Sequence, residues 1–106
     1  MDDKTMLEWA AKAAGAVWVG HYNRWELNGK SWWPLDDDGD ALRLAVKLRL
    51  DVEFLRGGDF VRVSTYYGDV TAEVEHTGEP LADTRRAIVR AAAEIGKGMG
   101  VQDGNA

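Results

Sequence analysis

Three segments decide the fold: Leu50-Asp51-Val52-Glu53-Phe54-Leu55, Phe60-Val61-Arg62-Val63-Ser64-Thr65-Tyr66 and Val70-Thr71-Ala72-Glu73-Val74-Glu75. Each alternates apolar and polar residues with a period of two, which sends successive side chains to opposite faces of a strand. Leu50, Val52 and Phe54 alternate with Asp51 and Glu53. Val61, Val63 and Thr65 alternate with Arg62 and Ser64, and Val70, Ala72 and Val74 with Thr71, Glu73 and Glu75. The links Arg56-Gly57-Gly58-Asp59 and Tyr67-Gly68-Asp69 suit hairpins. The pattern predicts an antiparallel meander over 50–55, 60–66 and 70–75 with one apolar face. A slip of one residue would expose every valine, so the register is well specified.

An apolar sheet face needs a cover, and three flanking segments have helical spacing. In 4–14, Met6, Leu7, Ala10, Ala11 and Ala14 share a face with Trp9 on its flank, and Gly15 is a stop. The segment 36–49 opens with Asp36-Asp37-Asp38-Gly39-Asp40, whose carboxylates suit free N–H groups and the positive end of a helix dipole. Ala41, Leu44, Ala45 and Leu48 form its face. Leu42 and Val46 widen that face and predict deep burial, while Arg43, Lys47 and Arg49 lie toward the C-terminal end. In 80–98, Leu81, Arg85, Ile88, Ala92, Ile95 and Met99 track one face after Pro80, with Val89 and Ala91 beside it and Arg86, Arg90, Glu94 and Lys97 facing water. Gly96, Gly98 and Gly100 fray its end.

Between the first two helices, 16–22 reads as a strand. Asn28-Gly29, flanked by Arg24–Leu27 and Lys30–Trp33, signals a hairpin that Pro34 ends. The expectation is one α+β domain over 1–100. It is a layered sandwich, with an antiparallel sheet of four or five strands and three helices packed on it, in the order α-β(-β)-α-β-β-β-α. Residues 101–106 read as a flexible tail.

The chain has 106 residues and a formal net charge of −5, with 13 Lys+Arg against 18 Asp+Glu. At this length one core can bury about 65% of the unfolded surface without staples. The absence of cysteine excludes disulfides, thiolate metal sites and a cysteine nucleophile. No apolar run approaches a membrane span and the N-terminus lacks the pattern of a secretory signal, so a cytoplasmic protein without membrane contact is expected. The acidic balance argues against direct nucleic-acid binding, which needs a basic surface.

Candidate chemistry is sparse. The acidic run fails as an EF-hand in both registers tried: Ala41 and Lys47, or Pro34 and Ala45, fall where glycine, acid or glutamate is required. Helix capping is the reading that remains, and no metal or cofactor is expected. His21 and His76 have no conspicuous sequence partner, and Ser31 and Ser64 sit in no nucleophile elbow. Arg85, Arg86 and Arg90 form a basic patch, which Asp83 and Glu94 temper into a mixed-charge face. The aromatic cluster stands out: Trp18, Tyr22, Trp25, Trp32 and Trp33 fall close together. These rings either cover the second face of the sheet and the start of the second helix, or form a partner-binding or self-association surface.

Trp33-Pro34-Leu35-Asp36-Asp37-Asp38-Gly39-Asp40-Ala41-Leu42-Arg43-Leu44-Ala45-Val46-Lys47-Leu48 and Arg86-Ala87-Ile88-Val89-Arg90-Ala91-Ala92-Ala93-Glu94-Ile95-Gly96 are similar to segments that recur in small proteins of tailed phages and prophages. With the opening helix, the chain resembles the phage ABA sandwich domain family, least so from His21 to Lys30. The resemblance implies a phage or prophage origin and helices on both sides of a sheet, with Trp18, Leu55 and Phe60 on the second face. It supplies no catalytic residues. The function expected is therefore a non-catalytic accessory protein in the host cytoplasm that binds a host or phage protein, or a second copy of itself. Its expected surface is Trp25, Trp32, Trp33, Asp36, Asp37 and Asp38. The alternative is an acidic inhibitor that mimics nucleic acid through Asp36, Asp37, Asp38, Asp40, Asp51 and Glu53.

Overall fold

A computed structural model describes residues 1–55, 57, 60–66 and 68–103, with the side chains of 100–103 excepted. The order is α1 (Asp3–Ala14), β1 (Val17–Val19), β2 (Arg24–Leu27), β3 (Lys30–Ser31), α2 (Asp38–Lys47), β4 (Asp51–Phe54), β5 (Phe60–Ser64), β6 (Thr71–Glu75) and α3 (Pro80–Asp103). α3 runs three residues into the stretch read as a tail, and 104–106 lie outside the described residues. The hairpin links expected at 56–59 and 67–69 also fall in part outside them, at 56, 58, 59 and 67.

The α+β class is as expected, but the single sheet of four or five strands is replaced by two antiparallel sheets of three strands, β1-β2-β3 and β4-β5-β6. The cause is local. β3 holds only Lys30 and Ser31, and Trp32-Trp33-Pro34 then turns the chain into α2 before β4 begins. Proline has no N–H with which to continue a ladder.

In β5 and β6 the second sheet follows the period-two reading, whereas in the edge strand β4 Val52 is half-buried and Phe54, expected on the apolar face, is 64% exposed. Val52 pairs with Val63, Val61 with Val74, and Val63 with Ala72, which puts the valines on one face against α3. The other face carries Glu53, Arg62 and Glu73 in register, with Arg62 3.6 Å from Glu53 and 3.0 Å from Glu73. Phe60 shares this polar face, whereas Trp18 belongs to the other sheet.

α3 is the spine. Its Ala87, Ile88, Val89, Ala91, Ala92 and Ala93 are all buried, a band wider than the expected face by Ala87 and Ala93, while Leu81 and Met99 at the ends of that face are exposed. Small side chains let α1, α2, β5 and β6 all pack on it. Its three arginines each hold a different element rather than forming a free basic patch. Arg85 donates to Leu35 O (2.8 Å) and Asp38 Oδ1 (2.6 Å), Arg86 pairs with Asp3 (3.0 Å), and Arg90 donates to Glu73 O (3.1 Å).

The deep burial expected for α2 is also corrected. Ala41, Leu44 and Ala45 are buried, but Leu42 and Val46 are 64% and 68% exposed. They lie on the side turned away from buried Ala41, Leu44 and Ala45, where none of the described elements covers them. The helix ends in a Schellman turn, with Arg49 N donating to Val46 O (3.2 Å) and Leu50 N to Ala45 O (2.9 Å). This turn holds Arg49 at φ +53°, a conformation that suits glycine. Arg49→Gly is expected to raise stability by about 0.5–1 kcal/mol, read as a higher midpoint in urea.

α3 is tied to β6 by a buried carboxylate. Asp83 accepts from Thr77 N (2.9 Å) and Thr77 Oγ1 (2.8 Å), with His76 Nδ1 3.5 Å away. The Thr77 N–H, then the Thr77 hydroxyl and His76, hold its carboxyl below the ordinary value against the opposing effect of burial. Its contribution is complete above the unfolded-state value of about 4 and is lost as pH falls through the lower folded-state value. Asp83→Asn should therefore be less stable than wild type at neutral pH. The difference should shrink below about pH 4 in acid-unfolding curves.

Candidate functional site

The first sheet positions the aromatic cluster. Asn28 and Gly29 take φ of +55° and +77°, the paired left-handed geometry of a type I′ turn, between paired Leu27 and Lys30. Alternation then places Trp25 beside its register partner Trp18, and Trp32 N donates to Trp25 O (2.9 Å). The three indoles form a cross-strand ladder of edge-to-face contacts. Trp18 and Trp25 have centroids 5.4 Å apart at 71°, and Trp25 and Trp32 6.5 Å apart at 76°. Each such contact adds about 0.5–1.5 kcal/mol beyond burial.

The ladder runs from solvent to core. Trp18 is 49% exposed, Trp25 half-buried and Trp32 only 2% exposed. The cluster is therefore divided, with Trp32 in the core and Trp18 accessible. Trp32, expected on the binding surface, is a core residue, packed in the buried cluster and sharing a wall with Ala14 of α1 and Leu44 of α2. Trp33 is half-buried, with its N–H held by Asp40 Oδ2 (2.9 Å). Trp18 was not among the six residues expected to bind. Its exposure follows from β1 being an edge strand, which sequence cannot reveal before the strand order is known.

The acidic turn is committed to structure. Asp37 caps α2 by accepting from Asp40 N (2.8 Å). Asp38 pairs with Arg85 (2.6 Å), Asp40 with Arg43 (2.8 Å) and Glu53 with Arg62 (3.6 Å), so arginines interrupt the proposed line of charge. Asp36 is exposed. Among the described residues, no group of three or more His, Cys, Asp or Glu is placed to hold a metal ion.

His21 is exposed, stacked edge-on to Tyr22 at 5.0 Å. His76 does have a carboxylate partner, Asp83. The hydroxyl in that cluster, Thr77, donates to Asp83 and not to His76, so the order of nucleophile, base and acid is not built. Among the described residues, no helix is long and apolar enough to cross a membrane.

Two accessible features flank the ladder. At one margin of the sheet β1 has no strand partner on its outer side among the described residues. Val17 is 59% exposed on one face, Trp18 lies on the other, and Tyr22 is exposed beside them with the Arg24 guanidinium 5.0 Å over its ring. At the other margin a cavity of about 600 Å³ opens between the hairpin and α2, lined by Leu27, Lys30, Trp32, Arg43, Leu44 and Lys47 among others. Comparison with protein-family models, curated proteins and solved structures finds no match for this chain, so its functional reading rests on this geometry.

Proposed function

We propose that the chain is a non-catalytic protein-binding module, a phage or prophage accessory protein acting in the host cytoplasm, that takes a partner strand along β1. The observation that carries this reading is the edge itself. Among the described residues, Val17-Trp18-Val19 has a strand partner on one side only, carries exposed apolar side chains on both faces, and has neither the lysine nor the proline that blunts an open edge. An added strand would gain main-chain hydrogen bonds there and cover Val17 and Trp18 at once.

Trp18 suits the role of anchor. Its edge-to-face contact with Trp25 orders the ring before binding, which lowers the entropy lost on association. Tyr22 and Arg24 supply a polar rim. The phage origin rests on the resemblance of the 33–48 and 86–96 segments.

The test is capture from phage-infected cells by wild type and by Trp18→Lys, with sedimentation of the purified protein alongside. The reading expects a stoichiometric partner, or a self-associated dimer, that is weakened about tenfold or more by the substitution. Trp18→Lys should keep the wild-type circular dichroism. Equal capture by both proteins, or no association of the wild type with anything, overturns it.

A further inference from the structure

The cavity at the β3 margin plays no part in strand addition at β1, since the two lie on opposite edges of one sheet. Its volume of about 600 Å³ lies within the range of small-molecule sites. Half-buried Leu27 and the methylene stems of Lys30 and Lys47 give it nonpolar surface, and Trp32 and Leu44, each 2% exposed, close it from behind. Lys30, Arg43, Lys47, Asp37 and Asp40 give it a charged rim. Three cations against two carboxylates leave a net positive rim on a chain whose formal charge is −5.

These cations are not equally committed. Arg43 is held by Asp40 at 2.8 Å, with Asp37 at 3.8 Å. Lys47 donates one N–H to Ala14 O, the carbonyl that ends α1, and keeps two more. Lys30 is exposed, and the side chains of Asn28, Lys30 and Ser31 make no hydrogen bond or ion pair among the described residues. The hairpin wall therefore offers free donors, and the helix wall offers a partly free ammonium.

We infer that this groove binds a small monocarboxylate with an apolar body. The carboxylate accepts hydrogen bonds from Lys30, Lys47 and Ser31. The hydrocarbon lies on Leu27 and along the methylene stems of Lys30 and Lys47, with Trp32 and Leu44 behind them. Charge sets the class: one excess positive charge matches a monoanion, whereas a phosphate dianion would carry a second, unmatched charge beside Asp37 and Asp40. Organic cations meet Lys30 and Lys47 and are excluded for the same reason.

Octanoate, octylammonium and inorganic phosphate serve as probes, titrated separately while the Trp32 indole N–H and the Leu44 methyls are followed by NMR. Octanoate should give saturable shifts at both residues, and octylammonium and phosphate should not. Lys30→Glu should weaken octanoate about fivefold or more, since Lys30 makes no contact that the fold requires. Lys30→Gln should fall between the two. Absence of saturable octanoate shifts overturns the inference. So do equal shifts with octylammonium (simple apolar partition), tighter binding of phosphate, or full affinity in folded Lys30→Glu.

Discussion

Gly96→Ala is expected to destabilise the fold by about 3 kcal/mol, while Gly98→Ala two residues on is expected to stabilise it by about 0.5–1 kcal/mol. The same substitution in the same helix changes sign because of what lies opposite. At Gly96 a Cβ would be driven onto the Trp9 carbonyl oxygen, 2.8 Å from Trp9 C and 3.2 Å from Ala13 N. All three are main-chain atoms of α1, so no side-chain rotation relieves the clash and the helix itself must retreat. α1 packs chiefly on α3, and its withdrawal opens the layer of Met6, Ala10 and Ala11. At Gly98 nothing lies within 4 Å, and alanine only lowers the entropy lost on forming the helix. Urea unfolding of the two variants checks both signs. Equal stability of Gly96→Ala and wild type would mean that α1 and α3 are not in backbone contact.

Trp32→Ala is expected to cost about 3–5 kcal/mol, a large part of the stability of a domain this size. The indole is 2% exposed, closes the ladder through Trp25, and forms the shared wall of the core and the β3-side cavity. Its loss leaves a void that Leu44 and Ala14 cannot fill. Trp32→Phe keeps a ring for the edge-to-face contact and should cost less. Trp18→Ala, at the half-exposed end, should cost about 1 kcal/mol or less and act on partner binding. Thermal melts rank the three. Melting of Trp32→Ala within a few degrees of wild type would remove Trp32 from the core and restore it as a surface candidate.

Much of this architecture was legible in the sequence wherever one periodicity dominated. Val61, Val63, Ala72 and Val74 alternate cleanly because their sheet has one apolar and one polar face, and that pattern survives without knowledge of what covers it. Asn28-Gly29 marked its hairpin because few other residue pairs accept two positive φ angles. Asp37 was readable as part of a helix start because capping uses groups only a few residues apart. The candidate site was less legible. Which tryptophan faces solvent depends on strand order and on the helices that fold over Trp32, and neither is encoded within the span from Trp18 to Trp33. Leu42 and Val46 misled for the same reason: an apolar residue on a helix states a preference for burial, not the presence of a neighbour.

Contacts between near neighbours in the chain, whose energies depend on spacing alone, settled the helices, the strands, the tight turns and the α+β class. Contacts between distant segments settled the rest: that the strands divide into two sheets, that α3 is surrounded, that its arginines brace three other elements, and that one end of the indole ladder is open while the other is sealed. Those outcomes depend on which surfaces compete for the same nonpolar partner, and that competition is resolved only when the whole chain is packed.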